Sequence, residues 1–223
     1  MTQANDPDWP SEWTPEEVEE MLRRFEAAEP EPRFELNWTN PFTLLVALVL
    51  AARAHDSKVN EVTKKLFAEA DTPQKMLALG EEALAERIHS LPFYRNKAKN
   101  IIRLSEALVK EHGGEVPNDV DALTALPGVG RKTAQILRNV AFGEPVFGVD
   151  THILRVANRT GLAPGRTPEE VEAKLERVIP ERWRRKALRW LILHGRYVCT
   201  ARKPNCGDCI INDLCKWEEK AVG

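Results

Sequence analysis

Four cysteines lie close together near the end of the chain: Cys199, Cys206, Cys209 and Cys215, in the run CTARKPNCGDCIINDLC. Four thiolates within one 17-residue loop can converge on a metal centre. The first residues, MTQANDPDWPSEW, have neither a basic start nor an apolar core, so a secretory signal is not expected and disulfides are disfavoured. Zinc is the generic occupant of a four-cysteine site. A cubane iron–sulfur cluster also takes four thiolates. The spacing C-x6-C-x2-C-x5-C holds one C-x2-C knuckle, where four-cysteine zinc sites commonly pair two. Spacing alone leaves both metals open. Arg202 and Lys203, between the first two cysteines, make the loop a candidate phosphate contact.

A second group of residues reads LPGVGRKTA, from Leu126 to Ala134. Pro127 and Gly128 stop one helix, and Gly130 is expected to allow backbone angles or close approaches closed to other residues. The next helix starts near Arg131, and its first amides have no partners inside the helix, so they can donate to an anion. Gly128, Val129 and Gly130 therefore read as a backbone clamp for a phosphate, which would hold DNA without reading its sequence. The plain alternative is a turn between packed helices. Lys132 falls in the first turn of the second helix. The positive helix end, Arg131 and partial burial all favour a neutral amine, the nucleophilic form. The same lysine would serve as a phosphate contact or a solvated surface charge. In VDTH, Asp150 precedes another helix, as a cap, as a fixed ionised carboxylate facing that lysine across a cleft, or as both.

The elements that must position these groups read as helices. Thr14-Pro15-Glu16-Glu17 is a capping box opening a helix toward Ala28, and Thr167-Pro168-Glu169-Glu170 repeats the device before a helix to about Val178. Asn40-Pro41 starts the apolar stretch FTLLVALVLAARA, a buried helix. Further helical patterns cover about 56–70, 73–79, 81–90, 95–112, 119–126, 131–142, 151–160 and 182–198. The alternation of a strand is limited to PVFGV at 145–149. The expected class is all-α, with any domain junction tight and near 143–150. No apolar run approaches the roughly 20 residues that span a bilayer, so no membrane partner and a cytoplasmic location are expected.

The net charge of −2 hides an asymmetry. Residues 1–37 carry 11 acidic and 3 basic side chains, a local net of −8, and the remainder carries a net of +6. A basic body behind an acidic arm is compatible with a polyanionic partner.

In this order, LPGVGRKTA, VDTHILRVANRTG and WLILHGRYVCTARKPNCGDC resemble the endonuclease III family of DNA glycosylases, continuously from about Asn40 to Lys216. The resemblance implies a helix-hairpin-helix DNA glycosylase fold. A six-helix barrel domain would span 34–144, and 1–33 with 145–223 would form an iron–sulfur domain whose four cysteines hold a [4Fe–4S] cluster. Lys132 from one domain and Asp150 from the other would form the active site between them. Lys132 would attack the sugar C1′ once the damaged base departs, and Asp150 would stabilise the developing charge and help activate the amine. The family's substrates are oxidised pyrimidines in duplex DNA, so damaged double-stranded DNA is the expected partner of a chain acting as a monomer. Lys132 also separates this chain from adenine-removing relatives, which lack it.

Two places depart from the family pattern. Arg53, in LAARAHD, stands where the family usually has a glutamine that fills the gap left by the flipped base. LPFYRNKA has Pro92-Phe93-Tyr94 where Gly-Leu-Tyr or Gly-Phe-Tyr is usual, and Phe93 remains an apolar wedge. His55 and Asp56 read as a helix cap. The rival functions are a damage-binding module that no longer cleaves and a zinc-stabilised helical binding protein. Retention of both Lys132 and Asp150 argues against the first, and the second needs every match to be coincidental.

Overall fold

The computed structural model describes residues 8–220, which form eleven α-helices and no strand. The first seven residues of the acidic arm, Asp6 among them, lie outside that range. Two compact units make up the described chain: Phe34–Gly143, and Met1–Arg33 together with Glu144–Gly223.

The Phe34–Gly143 unit holds α2 (Pro41–Ala51), α3 (Asp56–Glu69), α4 (Pro73–Leu79), α5 (Glu81–Arg87), α6 (Tyr94–His112), α7 (Val120–Ala125) and α8 (Arg131–Phe142). Asn40 caps α2 through the amide of Thr43, and Pro41 occupies the first helical position, where its missing N–H costs nothing. Helix α2 is apolar on every side, which suits only a central helix. It packs against α3, α6 and α8, and Leu44, Leu45, Val46, Ala47 and Leu50 are fully buried. Helices α4 and α5 meet at Gly80, whose φ of 82° ends one and begins the other.

The other unit holds α1 (Pro15–Ala28), α9 (Thr151–Thr160), α10 (Pro168–Val178) and α11 (Glu181–Tyr197). The capping box of α1 forms with both of its hydrogen bonds. The matching box on α10 is half present: Thr167 takes the Glu170 amide, while the Glu170 carboxylate turns to the amide of Arg166. Pro145–Val149 forms no strand and instead buries Phe147 and Val149 from an irregular connection.

Helix α9 packs on α11 at a glycine. A Cβ on Gly195 would meet the His152 Cβ at 2.9 Å and the His152 carbonyl oxygen at 3.1 Å. The end of α9 is closed by distant segments: Trp13 Nε1 donates to the Thr160 carbonyl at 2.6 Å, Lys216 N donates to the same oxygen at 3.0 Å, and Glu12 N donates to Gly161 O at 3.0 Å.

Replacing a helical glycine by alanine ordinarily stabilises by about 1 kcal/mol. Gly195→Ala should instead lose about 1–3 kcal/mol, because the added methyl forces α9 away from α11. Urea unfolding checks this, and an unchanged or raised midpoint would show that α9 is free to move.

Candidate functional site

The hairpin residues sit between α7 and α8. Val129 N donates to Leu126 O at 3.1 Å and closes the turn. Gly128 has φ of 80°, in the left-handed region, and a Cβ there would press on Asn100 at 3.0 Å. Gly130 has φ −96° and ψ 170°, which any residue adopts. The unusual backbone angle expected of Gly130 therefore belongs to Gly128. What glycine gives at position 130 is space, since no atom lies within 4 Å of where its Cβ would be. As N-cap of α8 it also offers no capping oxygen, so the amides of Lys132 and Thr133 are left for an external acceptor. Val129 has its side chain buried and its amide engaged in the turn, so it anchors the hairpin. Lys132 stands exposed in the first turn of α8. The partial burial expected of it is not supplied by the fold, because the apolar face of α8 begins at Ala134.

Asp150 is the N-cap of α9. Its Oδ1 accepts from both His152 N at 2.9 Å and Ile153 N at 2.8 Å, which leaves Oδ2 without a hydrogen bond among the described residues. Asp150 is thus held by one oxygen and presents the other. Two arginines one turn apart on α9 reach the cysteine loop. Arg155 donates through Nε to Cys199 O at 2.9 Å and through Nη2 to Gly195 O at 2.6 Å, and Nη2 lies 3.2 Å from His152 Nδ1. Burial pushes the His152 imidazole below its usual value. The Asp150 carboxylate opposes this, and the Arg196 and Arg155 guanidiniums add to it. A neutral His152 can accept from Arg155 at Nδ1. Arg159 donates to Thr200 O at 2.8 Å, reaches Cys199 Sγ at 3.6 Å and lies 4.4 Å from the centroid of the Trp217 ring.

The four cysteines are free thiols that line one pocket, with His194 and Trp217 beside them. Among the described residues no three metal-binding side chains come close enough to hold a single ion. Zinc at about 2.3 Å from each sulfur would draw the four sulfurs to within about 3.8 Å of one another. A cubane presents one iron to each thiolate, so it takes cysteines that surround a space, and these do. Burial pushes the Cys209 and Cys215 thiols up, and the neighbouring cysteines reinforce this. Cationic iron would hold them as thiolates. Burial also pushes the His194 imidazole down to about 4, and its Nε2 lies 3.7 Å from Cys209 Sγ.

The remaining candidates are exposed. Arg202 and Lys203 project from a turn that Thr200 Oγ1 closes on Lys203 O at 2.6 Å. Arg53 and Phe93 are the two non-glycine residues with positive φ among those described, at 55° and 57°. Each such residue costs about 1–2 kcal/mol. The Arg53 guanidinium lies 6.0 Å from the centroid of the Phe93 ring, which is 64% exposed. His55 is the N-cap of α3 but gives no side-chain hydrogen bond, so it does not cap as expected. Sequence reasoning missed Arg155, Arg159 and the buried Lys97. Lys97 had a readable signal: it shares a helical face with Ile101 and Leu104 at i+4 and i+7, an apolar stripe where a lysine is out of place.

Two family models match the chain. The HhH-GPD superfamily base excision DNA repair protein model matches residues 46–181, and the iron-sulfur binding domain of endonuclease III matches residues 199–215. Endonuclease III of Escherichia coli (strain K12) is 52% identical over 201 residues, 90% of this chain and 95% of that protein. Endonuclease III of Treponema pallidum (strain Nichols) is 51% identical over 198 residues, 89% of this chain and 94% of that protein. Among solved structures, a trapped endonuclease III–DNA covalent intermediate, an estranged-adenine complex, superposes with a TM-score of 0.85 at 41% identity, covering 91% of this chain and 96% of that one. A non-covalent endonuclease III–DNA complex gives the same TM-score of 0.85 and identity of 41%, over 91% of this chain and 95% of that one. A thermostable thymine-DNA glycosylase, at 22% identity and a TM-score of 0.82 over 91% of this chain and 96% of that one, shares the fold. With its cysteine loop matched as an iron–sulfur binding domain and nine-tenths of its length aligned to these relatives, the chain belongs to the endonuclease III family of the HhH-GPD superfamily of base excision DNA repair proteins.

Proposed function

We propose that this protein is a bifunctional DNA glycosylase and abasic-site lyase that removes oxidised pyrimidines from duplex DNA and nicks the strand through a lysine Schiff base. The observation that carries this reading is Lys132: an exposed amine in the first turn of a helix whose N-cap is a glycine with no capping side chain. The covalent endonuclease III–DNA complex among the relatives supports it.

The steps follow from the groups present. The Gly128–Gly130 hairpin grips a phosphate through the amides that the turn leaves open, Gly130's own and the first ones of α8. Clamp and amine share one rigid element, which supplies the orientation that covalent catalysis requires. Damaged pairs are the cheapest to unstack, which favours extrusion of the lesion. As the C1′–N bond breaks, the base leaves with the electron pair, and the free Oδ2 of Asp150 stabilises the cationic sugar. Neutral Lys132 Nζ forms the bond to C1′, and the sugar opens to the Schiff base. Loss of a C2′ proton then expels the 3′ phosphate, and water releases the lysine. Because Lys132 is exposed in the free protein, its desolvation comes from the bound DNA. Arg202 and Lys203 add phosphate contacts from the cysteine loop, and the chain acts as a monomer. Cys199, Cys206, Cys209 and Cys215 hold the cluster, which when bound cross-links the loop.

Lys132→Ala should abolish borohydride-trapped adducts with abasic-site DNA while most binding survives, and Asp150→Asn should slow base release with the fold intact. Trapping at the parent's rate by Lys132→Ala would make another amine the nucleophile. Lys203→Ala should lower the slope of log affinity against log salt by about one unit. An unchanged slope would remove the loop from the interface. Purified protein should be yellow-brown with about four iron and four sulfide per chain, and a colourless protein with one zinc would reject the cluster.

A further inference from the structure

Lys97 is 5% exposed, yet its ammonium faces no carboxylate. Its Nζ donates to Leu50 O and to Ala52 O, both at 2.8 Å, at the end of α2. That end lacks the usual stop. Ala52 is the C-cap with φ −56° and ψ 115°, its amide closes no helical bond, and the next residue, in the left-handed region where glycine is common, is Arg53. The lysine takes one carbonyl that a glycine-based cap would satisfy, that of Leu50, together with the cap residue's own. Lys97 itself sits in the first turn of α6, where its amide makes the ordinary helical bond to Phe93 O at 3.0 Å. Its side chain therefore ties the end of α2, next to Arg53, to the first turn of α6, which Phe93 opens, and these two positive-φ residues lie 6.0 Å apart from guanidinium to ring centroid. A leucine or methionine would fill the same space with less desolvation, so packing alone does not account for a buried ammonium here.

We propose that Lys97 is a positioning residue that sets base-opposite specificity: by holding the end of α2 and the start of α6 together, it keeps Arg53 and Phe93 as one preformed wedge for the gap that an extruded nucleotide leaves. Strained residues persist only where the surroundings over-determine them, and the Lys97 side chain supplies a tie between the two elements that carry these. A preformed wedge enters the duplex without first being ordered, and only then can Arg53 contact the estranged base in a fixed direction. The amine chemistry at Lys132 is untouched by this device. The inference rests on the glycosylase reading given above.

The test uses the full-length, cluster-loaded protein and duplexes with one oxidised pyrimidine opposite each of the four bases. A 2-aminopurine placed opposite the lesion reports insertion of the wedge by its fluorescence rise. Lys97→Met should slow single-turnover excision at least tenfold on the preferred pair, flatten the ratio between best and worst opposite base to below threefold, and lose more than half of the fluorescence rise. Borohydride trapping on preformed abasic-site DNA should stay within threefold of the parent. Lys97→Arg, which keeps the donors, should retain the parent's ratio. Arg53→Ala should flatten the ratio equally, and adding Lys97→Met to it should change little more. Should Lys97→Met fail to fold, Lys97→Gln, which is shorter and uncharged, must give the same flattening. A parental ratio and fluorescence rise in the folded variant, or equal losses in excision and trapping, would overturn the role of Lys97. A parent that traps no adduct would overturn the glycosylase reading instead.

Discussion

Helix ends leave backbone amides and carbonyls unpaired, and the chemistry of this molecule is arranged around how each such end is settled. The N-terminus of α8 has no capping side chain. The N-terminus of α9 is closed by one oxygen of Asp150, and the same cap orients the other. The C-terminus of α2 is closed by a lysine from α6 where a glycine would be usual. The C-terminus of α9 is closed by Trp13 and by residues that follow the cysteines. Asp150, Lys132 and Arg53 each lie at, or within two residues of, one of these ends, and the four cysteines lie on the segment that closes α9.

Helix α9 shows what this arrangement achieves. A carboxylate that acts on developing charge must not reorient as the charge forms, because that motion would add to the barrier. Asp150 is fixed by its own cap, the helix behind it is seated on Gly195 of α11, and Arg155 and Arg159 bind it to Cys199, Thr200 and Ala201. The cysteine loop is therefore part of the support of the carboxylate. Arg155 spends its donors on two carbonyls and the neutral His152, so this link depends on geometry and not on an ion pair that salt would screen.

The sequence made legible the elements whose signals are local. Capping boxes, Pro41 and the period of α9 placed helix boundaries to within a residue or two, and the fixed spacing of the cysteines and of LPGVGRKTA placed the candidate groups. Three things escaped, the first two because their causes are non-local. The roles of the two hairpin glycines depend on Asn100, which packs against Gly128 and leaves Gly130 open. The burial of Lys132 depends on which face of α8 meets the core. His55 lies where a cap is expected, yet its ring gives no capping bond, and the capping carboxylate of Glu170 moves to a competing amide at Arg166. Lys97 is the instructive case, since its pattern was visible and its meaning needed the carbonyls of α2, far away in sequence.

The net charge is the property that misleads most, and the structure shows why. The acidic residues of α1 are consumed within their own unit: Glu17 pairs with Lys216, Glu19 with Arg182 and Glu26 with Lys186. The reverse pair, Arg24 with Asp213, ties the same helix to the loop between the last two cysteines. Such exposed pairs add little stability individually. Their effect is selective, because a cation already held by a carboxylate releases fewer counterions when a phosphate approaches. Arg53, Lys132, Arg202 and Lys203 have no carboxylate partner among the described residues, and each sits on one of the loops or helix starts described above. The net charge of −2 therefore says little about these four cations, which stay unneutralised on their own loops and helix starts.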